Sequence, residues 1–184
     1  INGYSQLIQG KSSDADIRDY AATIYRASDR ASDITRNLLT FSRGEIGKRE
    51  EFNVAELMRE VKRLIEPVMP KMVEVVLELP SVPCVIVGDS GKLHQCLLNL
   101  CINARDAMGR KQGKLRLALR QEKQKVCIEV EDTGCGIAPE HINNIFDPFF
   151  STKPKGKGTG LGLSVVYGII TAHNGTITCK SVPN

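Results

Sequence analysis

The sequence predicts an α+β protein in two parts: a helical hairpin, then a sandwich of a mixed sheet covered by helices. Three patterns lead there. Ile17, Ala21, Ile24, Ala31, Ile34, Leu38 and Phe41 recur at spacings of three, four and seven, which marks a helix with one apolar stripe. Residues 114–121 and 125–132, KLRLALRQ and KVCIEVED, alternate apolar and polar, the two-residue period of a half-covered strand. Around these strands lie stretches of helical period, so helices and strands share one core.

From the N-terminus, INGYSQLIQG opens without a capping residue, as though inside a helix. GKSSDAD follows as a turn whose Ser and Asp residues can cap a second helix. Two short helices cannot bury the apolar seam alone. A four-helix bundle with a second chain is the economical solution, and packing onto the same chain's larger domain is the alternative. RGEIGKREE is charged, holds two glycines and reads as a linker. These features divide the chain into a partial dimerisation hairpin over 1–43, a linker over 44–51 and a larger domain over 52–184.

Within the larger domain, NVAELMREVKRLIEPVM is an amphipathic helix ended near Pro67 and Pro70. MVEVVLEL and CVIVGD suit strands, and Asp89 to Met108 a helix. KLRLALRQ and KVCIEVED suit an antiparallel pair. A glycine loop, a short helix, a second glycine-rich loop, the helix GLSVVYGIITAH and a strand GTITCKS complete the order. The expected arrangement is a sheet with helices on one face.

A chain of 184 residues, 41% hydrophobic, can build one sizeable domain plus an appendage. Its formal net charge of +4 is too small to argue for nucleic acid. No apolar run approaches the ~18 residues that cross a bilayer, and no signal-peptide pattern opens the chain. Membrane attachment is therefore expected only through regions outside these residues. Cys84, Cys96, Cys101, Cys127, Cys135 and Cys179 form no Cys-x-x-Cys pair. Most sit among apolar neighbours as small hydrophobes, which favours a reducing compartment and a cytoplasmic location.

The chemistry gathers in four places. In LLNLCINARDAM, Asn99 and Asn103 stand one helical turn apart inside an apolar run, and burying two amides is unfavourable unless something bonds them. EDTGCGIAPE closes a strand with Asp132 and sets Gly134 and Gly136 around a cysteine. Alone, that pair of glycines fits a tight turn equally well. An acceptor-only carboxylate there can take the exocyclic amino group of adenine and would face a guanine carbonyl acceptor to acceptor. IFDPFF supplies Phe146, Phe149 and Phe150, as a hinge or as core packing. STKPKGKGTGLGLS repeats glycine at 156, 158, 160 and 162 as a helix opens. Backbone N–H groups and a helix N-terminus there can hold phosphate, with Lys153, Lys155 and Lys157 nearby. No Lys-Ser or Lys-Thr follows the glycines, so this is not the nucleotide-binding P-loop. As an isolated segment it also fits a flexible linker.

Taken in order, these motifs resemble the ATP-binding domain of sensor histidine kinases, within the GHKL superfamily shared with gyrase-type topoisomerases and MutL. The resemblance runs from about residue 50 to the end. LHQCLLNLCINARDAM matches the asparagine box, DTGCGI the first glycine box, IFDPFFSTK the phenylalanine box and GTGLGLS the second glycine box. The wording of FFSTK is closest to the nitrogen-regulator and PAS-linked branch. The resemblance implies ATP binding through Asn99, Asn103, Asp132, Gly134, Gly136, Ile137, Phe146, Lys153, Gly158, Thr159, Gly160, Leu161 and Gly162. It implies Mg²⁺ held by Asn103, with Asn99 assisting. Implied partners are a second copy through the hairpin and the receiver domain of a response regulator.

Position 99 separates two activities. ATP-hydrolysing relatives resemble Glu-x-x-x-Asn here, with the glutamate activating water. An amide cannot take that proton, so Asn99 favours a kinase over an ATPase. Three departures accompany the match. The family's acceptor histidine would lie upstream of Ile1, whereas His94, His141 and His173 all fall outside the hairpin. The usual final strand with its Gly-Thr-x-Phe pattern is missing after SVPN. Many relatives carry a phosphate-binding lysine where this chain has Asp106. The expected function is the catalytic core of a two-component kinase, unable to autophosphorylate as this stretch alone. The alternatives are an inactive dimerising or nucleotide-sensing module and a GHKL ATPase.

Overall fold

The computed structural model describes residues 1–42, 49–109, 111–123, 125–154 and 158–183, with the side chains of 30 and 33–42 outside the description. The chain forms two compact units, 1–43 and 44–184.

The first unit is a helical hairpin, α1 (Asn2–Lys11) and α2 (Ala15–Ser42). α1 begins without a side-chain cap, as its sequence predicts. In the turn, Asp14 Oδ1 accepts from the N–H groups of Asp16 and Ile17 at 2.9 and 3.2 Å, relieving two of the unpaired donors of a helix start. Small residues meet between the helices, where Ser5 and Ala21 are buried. The large apolar residues face outward: Tyr4 is 77% exposed, Tyr20 68% and Ile24 50%. Ile34, Leu38 and Phe41 of the seam lie outside the described side chains.

The second unit begins earlier than the sequence predicts. Glu50 and Glu51, assigned to the linker, open β1 (Glu50–Asn53), which pairs antiparallel with β3 (Val85–Gly88). Four residues are too few for alternation to stand out, so the pairing is a tertiary decision. Asn53 then caps α3 (Val54–Ile65), its Oδ1 accepting from Ala55 N–H at 3.1 Å. Pro67 follows within a 3₁₀ turn over 66–68, which ends the helix where its sequence places the stop. The short helix expected before the phenylalanines is likewise a 3₁₀ helix, over 139–144.

The main sheet has the order β2 (Val73–Glu78), β4 (Gly113–Glu122), β5 (Lys125–Asp132). β2 runs parallel to β4, and β5 antiparallel to it, so the sheet is mixed. Val126, Ile128 and Val130 of β5 pack on the core, while Glu129 and Glu131 on the other face bond Arg116 of β4 at 3.1 and 3.2 Å. By that alternation Asp132, the last residue of β5, shares the core-side parity.

α4 (Ser90–Met108) is the axis of the unit. Asp89 caps it by accepting from Lys92 N–H at 2.9 Å. Leu93, Leu97, Cys101 and Ala104 join Val54, Met58, Val61 and Ile65 of α3 and Leu115, Leu117 and Leu119 of β4 in the larger core. Cys96 and Leu100 pack instead with Val165, Val166 and Ile169 of α5 (Gly162–Ala172). Truncating a leucine in such a core costs about 2–5 kcal/mol. Burial pushes the thiols of Cys96 and Cys101 up to about 12, so they pack as hydrophobes rather than react. The expected strand GTITCKS does not form: residues 175–183 run as irregular chain. Apolar–polar alternation makes a strand only where a neighbour supplies the ladder.

Candidate nucleotide site

Each motif reaches α4. Asn99 and Asn103 are half-buried on it. A methyl group on Gly162, the first residue of α5, would stand 3.6 Å from Asn103 Nδ2, so the α5 N-terminus meets that amide. Among the described residues no side chain caps this end. Its first backbone N–H groups and the positive end of the helix dipole therefore remain available for an anion.

One turn further along α4, Lys153 Nζ lies 2.7 Å from Asp106 Oδ2. At the end of the helix the first glycine loop is pinned by backbone. Cys135 N–H donates to the Ala107 carbonyl at 3.1 Å, and Thr133 N–H donates to that of Lys114 at 3.2 Å. A methyl on Gly134 would stand 2.6 Å from Ala107 Cβ, so only glycine permits this approach. Asp132 Oδ1 accepts from Gly134 N–H at 2.8 Å, which orients the exposed carboxylate. Ile137 N–H donates to Ser181 Oγ at 2.9 Å, and Gly136 lies against the backbone of Val182 and Pro183.

The phenylalanine box links the loops. Phe146 packs on Tyr167 of α5 with centroids 5.6 Å apart, and Phe150 meets His141 edge-on at 5.5 Å. Phe149 has a φ of +66°, a strained conformation for a bulky residue. Gly160, at φ +68°, sits directly on its backbone, where any Cβ would collide. Thr159 Oγ1 accepts from the N–H of buried Leu161 at 3.4 Å. Gly158 lies near Ser151 and Lys153. Gly156, Lys155 and Lys157 lie outside the described residues.

Two contacts went unseen in the sequence reading. Asp106, singled out as a departure, engages Lys153. His173, at the end of α5, bridges to the start of α4, its Nε2 accepting from Asp89 N–H at 3.0 Å while Nδ1 faces the Ile169 carbonyl at 2.7 Å. A methyl on Gly88 would stand 2.7 Å from that ring, a weak signal readable beforehand only as an unexplained glycine. Among the described residues, buried His94 Nε2 has no hydrogen-bond partner. A groove of about 330 Å³ beside α3, lined by Glu56, Arg59, Lys62, Arg63 and Leu77, carries none of the motif residues.

Fold and site together form an α+β sandwich in which two glycine loops meet one asparagine-bearing helix. The chain belongs to the family described as histidine kinase-, DNA gyrase B-, and HSP90-like ATPase, whose profile matches residues 88–184. It is 36% identical over 173 residues to the sensor kinase CckA of Brucella abortus, a match covering 86% of this chain and 18% of that protein. It is 34% identical to the signal transduction histidine-protein kinase AtoS of Escherichia coli, covering 100% of this chain and 30% of AtoS. The chain thus spans less than a third of either relative's length. Among solved structures it superposes on histidine kinase ThkA in complex with the response regulator protein TrrA. The TM-score is 0.70 at 28% identity, over 94% of this chain and 50% of ThkA. Among the described residues, no helix is long and apolar enough to cross a membrane.

Proposed function

We propose that the chain is the catalytic core of a two-component sensor histidine kinase that binds Mg²⁺-ATP and donates its γ-phosphoryl group to a histidine. The observation that carries this reading is the meeting of Asn103 with the uncapped N-terminus of α5. The Asn103 side-chain amide, through its Nδ2, and an anion-binding helix end stand side by side, with Asp132 oriented on the glycine loop beyond.

In this reading Asp132 accepts from the adenine amino group, and the N–H groups at Gly162 hold phosphate oxygens. Phe146 ties the loop to α5 through Tyr167. The amides fit magnesium. Mg²⁺ keeps several waters, shares phosphate oxygens and needs few protein ligands. No cluster of three or more His, Cys, Asp or Glu suited to a metal occurs among the described residues. Asn103 would hold the ion with Asn99 assisting, and when bound the ion would neutralise phosphate charge. Asn99 cannot deprotonate water, so the nucleotide is kept for another nucleophile. The γ-phosphorus then exchanges its bond to the bridging oxygen for one to an imidazole nitrogen, ADP departs, and positioning supplies most of the catalysis.

The histidines at 94, 141 and 173 all lie outside residues 1–43, so the acceptor imidazole comes from elsewhere. The outward apolar residues of the hairpin, Tyr4, Tyr20 and Ile24 among them, support a homodimer through this unit. The ThkA complex supports a response-regulator receiver domain as the partner taking the phosphoryl group onward. A cytoplasmic location fits the thiol chemistry, with any membrane contact made by other regions.

The test mixes the chain with Mg²⁺-ATP and a dimerisation hairpin extended to carry an upstream histidine. Acid-labile phosphohistidine on that hairpin is expected. Its absence, or steady-state ATP hydrolysis that Asn99→Glu leaves unchanged, counts against the kinase reading.

A further inference from the structure

Asp106 lies three residues beyond Asn103, on the same side of α4. Both of its oxygens are engaged. Lys153 Nζ stands 2.7 Å from Oδ2, while Arg105 donates to Oδ1 through Nε and Nη2 at 3.1 and 2.9 Å. The Asp106 and Lys153 side chains are 30% and 34% exposed, so solvent and solutes reach the pair. Burial pushes the Asp106 carboxyl up, but the bonds from Lys153 and Arg105 outweigh it and hold the group below its ordinary range. It is therefore an anion at neutral pH.

The two cations differ. Arg105 is adjacent on the same helix and grips one oxygen through two nitrogens. Lys153 reaches across from the segment after the phenylalanine box. An ammonium on a flexible stem is a point charge that changes partners readily, whereas a guanidinium fork is more pre-organised. A triphosphate beside Asn103 brings several negative charges within a helical turn of Lys153. Arg105 would then remain to satisfy Asp106.

We propose that Asp106 is a positioning residue that sets nucleotide affinity: it holds Lys153 against α4 in the nucleotide-free protein and competes with the triphosphate for that lysine. This rests on the nucleotide-binding reading above. Because the Asp106–Lys153 pair is given up on binding, it weakens affinity while keeping the lysine beside the site.

The test is calorimetric titration of the full chain with Mg²⁺ and a non-hydrolysable ATP analogue. Asp106→Asn lowers Kd about two- to five-fold, the scale of a partly exposed ion pair. In a Lys153→Met background the same substitution changes Kd by less, because only the charge of Asp106 is then removed. An equal or larger gain there overturns the competition. Without nucleotide, Asp106→Asn speeds amide hydrogen exchange at residues 151–153, and Asp106→Glu restores protection. Unchanged exchange also overturns the proposal. Failure of the unaltered chain to bind the analogue removes the proposed function together with the competition. Binding indifferent to Asp106→Asn removes the competition alone.

Discussion

The two glycine loops reach the same helix by different means. Residues 133–136 are fastened through backbone: Cys135 N–H to the Ala107 carbonyl, Thr133 N–H to that of Lys114, and Gly134 in direct van der Waals contact with Ala107. The segment from 151 onward is fastened by a side-chain ion pair, Lys153 to Asp106, and by Gly160 resting on Phe149. These bonds join backbone to backbone around buried Gly134, so they cannot be exchanged without moving the chain itself. A half-exposed ion pair is worth about 0–1 kcal/mol and trades partners readily. One loop is thereby part of the scaffold and the other is tied by an exchangeable charge.

The largest expected effect on folding stability tests the scaffold side. Gly134→Ala places a methyl 2.6 Å from both Ala107 Cβ and Asp132 Oδ1. Overpacking of this kind costs about 1–3 kcal/mol, readable as a lowered midpoint in denaturant unfolding followed by circular dichroism. An unchanged midpoint would mean that the first loop is no better anchored than the second.

Asp132→Ala sharpens the contrast from the other direction. The carboxylate is exposed, so its loss is expected to leave unfolding nearly unchanged. In the nucleotide site proposed above it would remove a charge-assisted bond to adenine worth about 1.5–3 kcal/mol, roughly ten- to a hundred-fold in Kd. Calorimetry with the ATP analogue and a melting curve separate the two outcomes. A large stability loss with little change in affinity would make Asp132 a structural residue.

The smallest effect is in acid. The folded Asp106 carboxyl sits below its ordinary value, so its contribution is present above the unfolded value, about 3.9, and is lost as pH falls through the lower folded one. After correction for the intrinsic pH dependence of exchange, protection at 151–153 should fall in that window while protection at 133–136 persists. Moderate salt should loosen the same segment, because the pair is screened.

Much of the larger unit was legible because its signals are local. The helices expected from Asn53 and Asp89 formed, with those two residues as their caps, the alternation of 114–121 and 125–132 became the antiparallel pair, and Leu93, Leu97 and Ala104 entered the core. What went unread depends on partners distant in sequence. β1 exists because β3 is beside it, 175–181 is irregular despite strand-like alternation, and His173 meets Asp89 across 84 residues. Lys153 and Asp106 are 47 residues apart, and their motifs carry no mark of the bond.

The sequence by itself determined the chemistry on offer. It set two amides one turn apart, a carboxylate before a glycine pair and glycines opening a helix, because residue type and spacing dictate which groups share a face and which backbone turns are open. Only the tertiary structure decided that α4 collects them all, that Gly162 comes to Asn103, and that Asp106 takes hold of Lys153. Those meetings depend on how α5 and the loops pack around a shared helix, and packing is a property of the assembled core rather than of any one segment.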